Sequence, residues 1–311
     1  MQQYKQEWFG NIRGDILAGI VVCLALFPEV IGFMIVAGVP PIVGVYATFF
    51  ITAIAAFFGS SKGMISAAAG SVALVLAHLV AEYGIQYLFA ATILAGILQV
   101  ALGLLKVGTL MRYIPKPVMT GFVNGLGIMM FTSQLDHFQG SLLLPLLGLL
   151  GIAIIFLFPR VTKKIPAPIV AILVITAIVL GFGLDVKTLG DMGSISTDLP
   201  RFGIPAVPMT LETLRIIFPT ALSVAIVGLV ESLLTAQLVD EITEEKSDKN
   251  QETLSQGLGN VVSGFFGGIA GCGMIGQTII NLNYGGLGRL ATFLSGFFML
   301  LSVVLLNGSV V

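Results

Sequence analysis

The chain alternates long apolar runs with short polar connections, and that alternation sets its architecture before any single residue is considered. Runs of roughly 20 apolar residues match the thickness of a bilayer when wound as helices. Eleven occur, near 15–37, 41–59, 65–81, 86–105, 114–134, 142–158, 166–184, 211–237, 254–267, 273–284 and 289–307. The two-residue alternation of a membrane β-barrel is missing from them, so the expected fold is all-α. The third and tenth runs are short, and each carries a Gly or Ala cluster followed by a polar residue: SAAAGSVALVLAHL around Gly70 and Ser71, and GCGMIGQTIIN with Cys272 to Gln277. The second of these lies inside GFFGGIAGCGMIGQTIINLNYGG, Gly264 to Gly286, which is too rich in glycine for one smooth helix. Each interior Gly costs about 1 kcal/mol relative to Ala, so a break is expected near Gly271 to Gly273, with a short helix starting there. A helix that starts at membrane depth points unpaired N–H groups and a positive dipole end at whatever precedes it. Transporters hold anions in this way, although a Gly-rich surface for helix packing reads similarly.

Composition agrees with the pattern. Of 311 residues, 56% are hydrophobic and 10% charged, with mean hydropathy +1.02, whereas soluble domains carry about 25% charged residues. The chain is an integral membrane protein by this measure, and its net charge of −1 is silent about partners. The first run is too long for a signal peptide and has no clear small-residue cleavage site, so residues 1–14 are expected to be a cytoplasmic end. Lys and Arg test that orientation. Placing the N-terminus inside puts Lys5, Arg13, Lys62, Lys106, Arg112, Lys116, Arg160, Lys163, Lys164, Lys246, Lys249 and Arg289 in the cytoplasm, and only Lys187, Arg201 and Arg215 outside. The bias supports the orientation and the segment count together. Two cysteines, Cys23 and Cys272, and two histidines, His78 and His137, suggest neither a disulfide framework nor a metal cluster.

Two hydrophilic breaks organise the chain. Asp185 to Pro208 separates seven helices from four, and Asp240 to Glu252, DEITEEKSDKNQE, reads as a solvated cytoplasmic loop. The domain reading is a cytoplasmic N-terminus over 1–14, a first seven-helix repeat over 15–184, an extracytoplasmic connection over 185–210, and the first four helices of a second repeat over 211–311. A repeated unit with an odd number of helices inserts upside down, which gives inverted symmetry.

Few polar groups sit at membrane depth. Glu29 follows Pro28 in the middle of the first run; a charged carboxylate there costs about 2–3 kcal/mol or more. It is either a proton- or cation-linked carboxylate or a neutral Glu bonded to a neighbouring helix. Glu231 lies in the eighth run, with Ser232 beside it and Thr235 one turn on along the same face. A carboxylate and a hydroxyl near the carbonyls of a broken helix would suit sodium or a proton; the alternative is a buried Glu tying two helices together. If the third and tenth runs are half-helices meeting head to head around one cavity, backbone N–H groups would hold a small anion. Gly70, Ser71, Cys272, Gly273, Met274 and Gln277 would then line the site, with Phe33 and Phe27 as apolar walls. His78 reads as an interface residue, and no set of residues for enzymatic catalysis can be assembled.

Several stretches resemble the sulfate permease (SulP, solute carrier 26) family of anion transporters: ALFPEVIGFMIVAGVPPIVGVYATF, YIPKPVMTGFVNGLGI, VGLVESLLTAQLVDEIT and SDKNQETLSQGLGNVVSGFFGG. The resemblance covers essentially the whole chain. It implies an inverted-repeat fold of seven plus seven helices, like that of uracil transporters, with helices 3 and 10 discontinuous and about eleven of the fourteen helices present. It also implies a core and a gate domain with an elevator-like movement, a homodimer, an inner (plasma) membrane location, and a small anion such as sulfate or bicarbonate as substrate. No cofactor is implied beyond sodium or a proton as coupling ion, and no nucleic acid. By position, Glu29 matches the acidic residue after Pro in the first helix, Glu231 with Thr235 matches the cation-site region, and Ser71 and Cys272 to Gln277 match the substrate half-helices. Gln277 stands where many relatives have Arg, which favours cation-coupled symport over exchange. The last three helices and the cytoplasmic STAS domain typical of the family are expected to lie outside this sequence. The alternatives are a nucleobase carrier of the same fold and an uncoupled anion channel.

Overall fold

The computed structural model describes residues 2–113, 116–135, 142–162, 167–184 and 199–305. The connection expected over 185–210 and His137 therefore lie partly or wholly outside the described residues. Among those described, twelve α-helices appear: α1 (Gln2–Phe9), α2 (Ile12–Ala37), α3 (Pro41–Phe58), α4 (Gly70–Tyr83), α5 (Ile85–Leu104), α6 (Lys116–Gln134), α7 (Leu143–Leu157), α8 (Ala167–Phe182), α9 (Leu211–Thr243), α10 (Lys249–Phe265), α11 (Ile275–Asn283) and α12 (Arg289–Leu305). Helices α2 to α12 correspond one for one to the eleven apolar runs. By length and composition α2, α3, α5, α9 and the stretch Leu143–Arg160 that begins with α7 are each long and apolar enough to cross a membrane.

The two expected breaks are present and take a specific form. Each short helix is led in by a three-residue strand, β1 (Ser66–Ala68) before α4 and β2 (Gly271–Gly273) before α11. The strands pair antiparallel, with Ser66 opposite Gly273, Ala67 opposite Cys272 and Ala68 opposite Gly271. This pairing explains how extended backbone survives in the interior: each strand satisfies part of the other's hydrogen-bonding capacity away from lipid. Helix α4, at 14 residues, and α11, at 9 residues, rise only about 21 and 14 Å at 1.5 Å per residue, so each is a half-crossing completed by its strand. Glycine at 271 is required by the pairing, because a Cβ there would lie 2.1 Å from the Ala67 carbonyl oxygen.

Long helices cage this ribbon. Helices α2 and α9 each pack against both half-helices, while α3, α5, α10 and α12 close the bundle around them. Against this core, α7 and α8 pack mainly on each other, with α6 touching α4 and α8 touching α2.

One sequence expectation is adjusted at the polar end of the bundle. The segment read as a solvated loop over Asp240 to Glu252 is mostly helix: α9 continues to Thr243 and α10 begins at Lys249, capped by the Asp248 side chain, which accepts from the Asn250 and Gln251 amides. Glu252 is 1% exposed and accepts hydrogen bonds from the amides of Ser60, at 2.8 Å, and Ser61, at 3.0 Å. The N-terminal residues also pack at this end. Helix α1 buries Trp8 against Phe57, with ring centroids 4.8 Å apart, and against Phe293. Glu7 pairs with Arg289 at 2.7 Å and Lys62 at 3.8 Å, and Lys62 reaches Glu245 at 2.5 Å. Lys62 and Arg289, assigned by charge bias to one side of the membrane, thus meet Glu7 on one face of the bundle, and Ala206 donates to the Gln86 side chain at 2.9 Å.

Candidate functional site

The ribbon delivers two helix N-termini to its opposite ends. Because β1 and β2 run antiparallel, α4 and α11 leave in opposite directions from the two ends of the ribbon. The first backbone bond within α4 is Ala73 N–H to the Ala69 carbonyl at 3.0 Å, and within α11 it is Thr278 N–H to the Met274 carbonyl at 3.0 Å. The amides of residues 70–72 and 275–277 precede those bonds, and no side chain caps either helix. Both ends therefore carry the partial positive charge of uncapped amides.

A carboxylate from a long helix reaches each of these ends. Glu231 on α9 accepts through Oε2 from the Ser71 hydroxyl at 2.5 Å and from the Cys272 thiol at 3.2 Å. Ser71 is the second residue of α4, and Cys272 is the middle residue of β2, with Ser71 Oγ and Cys272 Sγ 4.0 Å apart. Glu29 on α2 accepts from the side-chain amide of Gln277, the third residue of α11. The carboxylates thus cross between the repeats: the first-repeat helix α2 binds the second-repeat half-helix, and α9 binds the first. Neither Glu has an ion-pair partner among the described residues. A carboxylate without a cation at membrane depth is expensive, and these donors offset part of that cost.

Thr235 takes a different place from the one suggested by spacing alone. One turn does bring it beside Glu231, but its hydroxyl contacts the backbone carbonyls of Glu231, at 2.8 Å, and Gly273, at 3.1 Å, not the carboxylate. Ser232, next in sequence, accepts from the Gly273 amide at 2.8 Å while donating to the Gly228 carbonyl at 2.7 Å. Gly273 is held between these hydroxyls, where a Cβ would stand 3.0 Å from the Ser232 Cα. Gly70 opens α4 and is buried. Met274 donates its amide to the Ile65 carbonyl at 2.8 Å, and its side chain, like those of Phe33 and Phe27, packs with the apolar core. Ser71, Cys272 and Gln277 are buried, at 4%, 1% and 4% exposure, whereas Glu29 and Glu231 are half-buried and Gly276 is exposed, and a Cβ on Gly32 or Gly276 would meet open space. His78 sits at the far end of α4, 3.6 Å from Glu82, away from the site.

Sequence reasoning missed the residues that hold the ribbon. Asn260 on α10 is fully buried and pairs with both backbone groups of Gly271, accepting from its N–H at 2.8 Å and donating to its carbonyl at 3.1 Å. Its amide also donates to Gln99 on α5 at 2.7 Å, so a side-chain amide serves as the next strand. Thr48, Gln256 and Thr278 do the same for β1 and its lead-in, through the Ala68 amide, the Ser66 hydroxyl and the Ile65 amide. The available signal was the amide side chains within segments read as membrane crossings, Gln99 in α5 and Gln256 and Asn260 in α10.

The comparisons with known proteins converge on the same architecture. The sulfate permease family model matches residues 12–142 and 141–310. A Bacillus subtilis protein named "Putative sulfate transporter YbaR" is 56% identical over 310 residues, covering 99% of this chain and 64% of that protein. The bicarbonate transporter BicA of Picosynechococcus is 30% identical, covering 98% of this chain and 59% of its own length. The chain thus spans about three fifths of the length of these curated relatives. The solved transmembrane domain of a cyanobacterial bicarbonate transporter BicA superposes with a TM-score of 0.84 at 27% identity, over 97% of this chain and 84% of that one. The fold is therefore the seven-plus-seven inverted repeat with helices 3 and 10 discontinuous, and eleven of its fourteen helices lie in this sequence. It is a fold of multi-pass transporters, not of enzymes. With its helix order, its paired half-helices and a family model matched along nearly its whole length, this chain belongs to the sulfate permease family.

Proposed function

We propose that this chain is the transport core of a secondary transporter that carries a small anion, sulfate or bicarbonate, by symport with sodium or a proton. The observation that carries the reading is the pair of uncapped half-helix N-termini, each reached by a carboxylate and neither by a basic side chain among the described residues. Such a site attracts an anion through backbone dipoles and hydroxyls alone. Its own carboxylates then call for a cation to balance the added charge. The Thr235 hydroxyl and the carbonyls of Glu231 and Gly273 supply hard oxygen atoms beside Glu231, the ligand chemistry that sodium prefers. The names of the relatives supply the two anions to test first.

The same reading extends to the whole molecule. Residues 15–184 form the first repeat and 211–311 the start of the second, with the N-terminus in the cytoplasm of a cell whose inner (plasma) membrane holds the protein. The loosely attached α6 to α8 belong to a gate against which the core slides as an elevator, and two copies form a homodimer. The test is uptake of radiolabelled sulfate and bicarbonate into proteoliposomes holding the full-length protein, with and without a sodium gradient at fixed pH. Accumulation driven by sodium or by a pH gradient is the expected result. Uptake that equilibrates without either gradient would make the protein a channel. Failure to carry any anion would favour a nucleobase carrier.

A further inference from the structure

Beside α1, away from the half-helix starts, the bundle holds a cavity of about 380 Å³, a size typical of small-molecule sites. Its walls come from three distant parts of the chain: the turn Ser60 to Lys62 after α3, the end of α9 with the loop 244–248 that follows, and the end of α11. Val239 and Leu282 line it from within, in an apolar cluster with Met64 and Ala236. Met64 in turn abuts the ribbon, since a Cβ on Gly273 would lie 2.9 Å from its Cε. A layer of apolar side chains therefore separates the cavity from β2.

Four charged side chains line the cavity, Lys62, Lys246, Asp240 and Glu245, and their balance is uneven. Asp240 is fully engaged, accepting from Lys249 Nζ at 2.8 Å and from the Ser247 amide and hydroxyl at 3.1 and 2.7 Å. Glu7, 3.8 Å from Lys62, is held more closely by Arg289, at 2.7 Å. Two ammonium groups thus face Glu245 alone, and Lys246 has no partner among the described residues. Glu245 meets Lys62 at 2.5 Å with a side chain that is 62% exposed, and it follows Glu244, whose φ of 56° is left-handed. An ion pair with one partner largely in water contributes little, so another anion can replace that carboxylate. Ser61, on the same wall, carries a hydroxyl shielded from water and without a hydrogen-bond partner, an arrangement that folded proteins rarely leave unanswered.

We propose that this cavity binds a small organic phosphomonoester. The phosphate takes the place of Glu245 at Lys62, gains Lys246 as its second cation and accepts from the Ser61 hydroxyl; the organic part rests on Val239, Leu282 and the flanking Ile242 and Leu287. A phosphomonoester carries about −1.5 to −2 charges at neutral pH, which two ammonium groups match, whereas a monoanion leaves one of them unanswered. The same chemistry is offered by a soluble metabolite and by the headgroup of a phosphorylated lipid.

Glu245→Gln and Lys246→Ala test the site, and both change exposed side chains on a loop, so the fold is retained. Binding of AMP and of glycerol phosphate to the purified protein is measured by titration calorimetry, with adenosine and glycerol as uncharged controls. Native mass spectrometry measures retention of phosphatidic acid against phosphatidylcholine. A charge-assisted phosphate contact predicts that Lys246→Ala weakens binding at least about tenfold, and that Glu245→Gln, freed of its competing carboxylate, tightens it about threefold or more. Binding of a soluble probe with this pattern supports the site with a metabolite as its source; selective retention of phosphatidic acid with the same dependence on Lys246 supports it with a lipid. Binding of no probe by wild type, or binding that is equal in wild type and both variants, overturns the proposal and leaves the transport reading as it stands.

Discussion

At the scale of residues, the site is a set of polar side chains that each answer for a specific backbone or carboxylate group. Asn260 is the most exacting of them, because its amide completes both hydrogen bonds of Gly271 on the open edge of β2. Asn260→Ala would orphan a buried N–H and a buried carbonyl at about 1–3 kcal/mol each. We expect a clearly lower melting temperature in detergent and loss of uptake, with Asn260→Asp intermediate because it still accepts from the Gly271 amide. An alanine variant that melts with wild type would show that water replaces the side chain. The residues of the site were legible in sequence to the extent that intramembrane polar groups are rare, which singled out Glu29, Ser71, Glu231 and Gln277. Their pairing was not. Glu29 and Gln277 are 248 positions apart, and Ser71 and Glu231 are 160 apart, and no local pattern specifies a crossing between repeats. Thr235 illustrates the converse: helical spacing placed it beside Glu231 correctly, while the nearer backbone carbonyls took its hydroxyl.

At the scale of elements, the informative features are lengths and breaks. The short third and tenth runs were visible as glycine-rich and interrupted, since glycine at such density disfavours continuous helix. The strand pairing that joins them was not visible, because three-residue strands carry no periodicity to read. Helix α1 was missed for a related reason: its 8 residues are mostly polar, and its apolar anchor is Trp8, 8% exposed beneath Phe57 and Phe293. Arg289 holds the same helix through Glu7 while donating to the carbonyls of Ala56, at 2.9 Å, and Gly59, at 2.8 Å. That anchoring makes α1 a clasp over the ends of α3 and α12. Trp8→Ala should cost about 3 kcal/mol, as large-to-small changes at buried aromatics do, and should speed tryptic cleavage at Lys5. Trp8→Phe should be nearly neutral, since the indole N–H has no partner to lose. Equal melting and equal cleavage for Trp8→Ala and wild type would contradict the clasp. A second element-level contact is the crossing of α5 and α10, where a Cβ on Gly96 would lie 2.6 Å from the Gly257 carbonyl, and one on Gly257 would lie 2.7 Å from the Gly96 carbonyl. Gly257→Leu is therefore expected to prevent assembly of the core, seen as loss of monodisperse protein after extraction.

At the scale of the whole molecule, hydropathy marked eleven apolar segments, and each corresponds to one of the helices α2 to α12, because the bilayer penalises exposed polar backbone so heavily that few alternatives exist. The odd number of helices per repeat already implied inversion; what it could not convey is the contact that results, with α2 and α9 each packing against both half-helices. The central claim is that a transported anion sits at those half-helix starts, beside Cys272. The most direct test uses the two native cysteines of this sequence. In a Cys23→Ser background, the rate at which a small thiol reagent modifies Cys272 is measured in proteoliposomes with and without sulfate or bicarbonate. Slower modification in the presence of whichever anion the protein accumulates, at concentrations that saturate uptake, is the expected result. An anion that is accumulated while Cys272 reacts at an unchanged rate would place the binding site elsewhere.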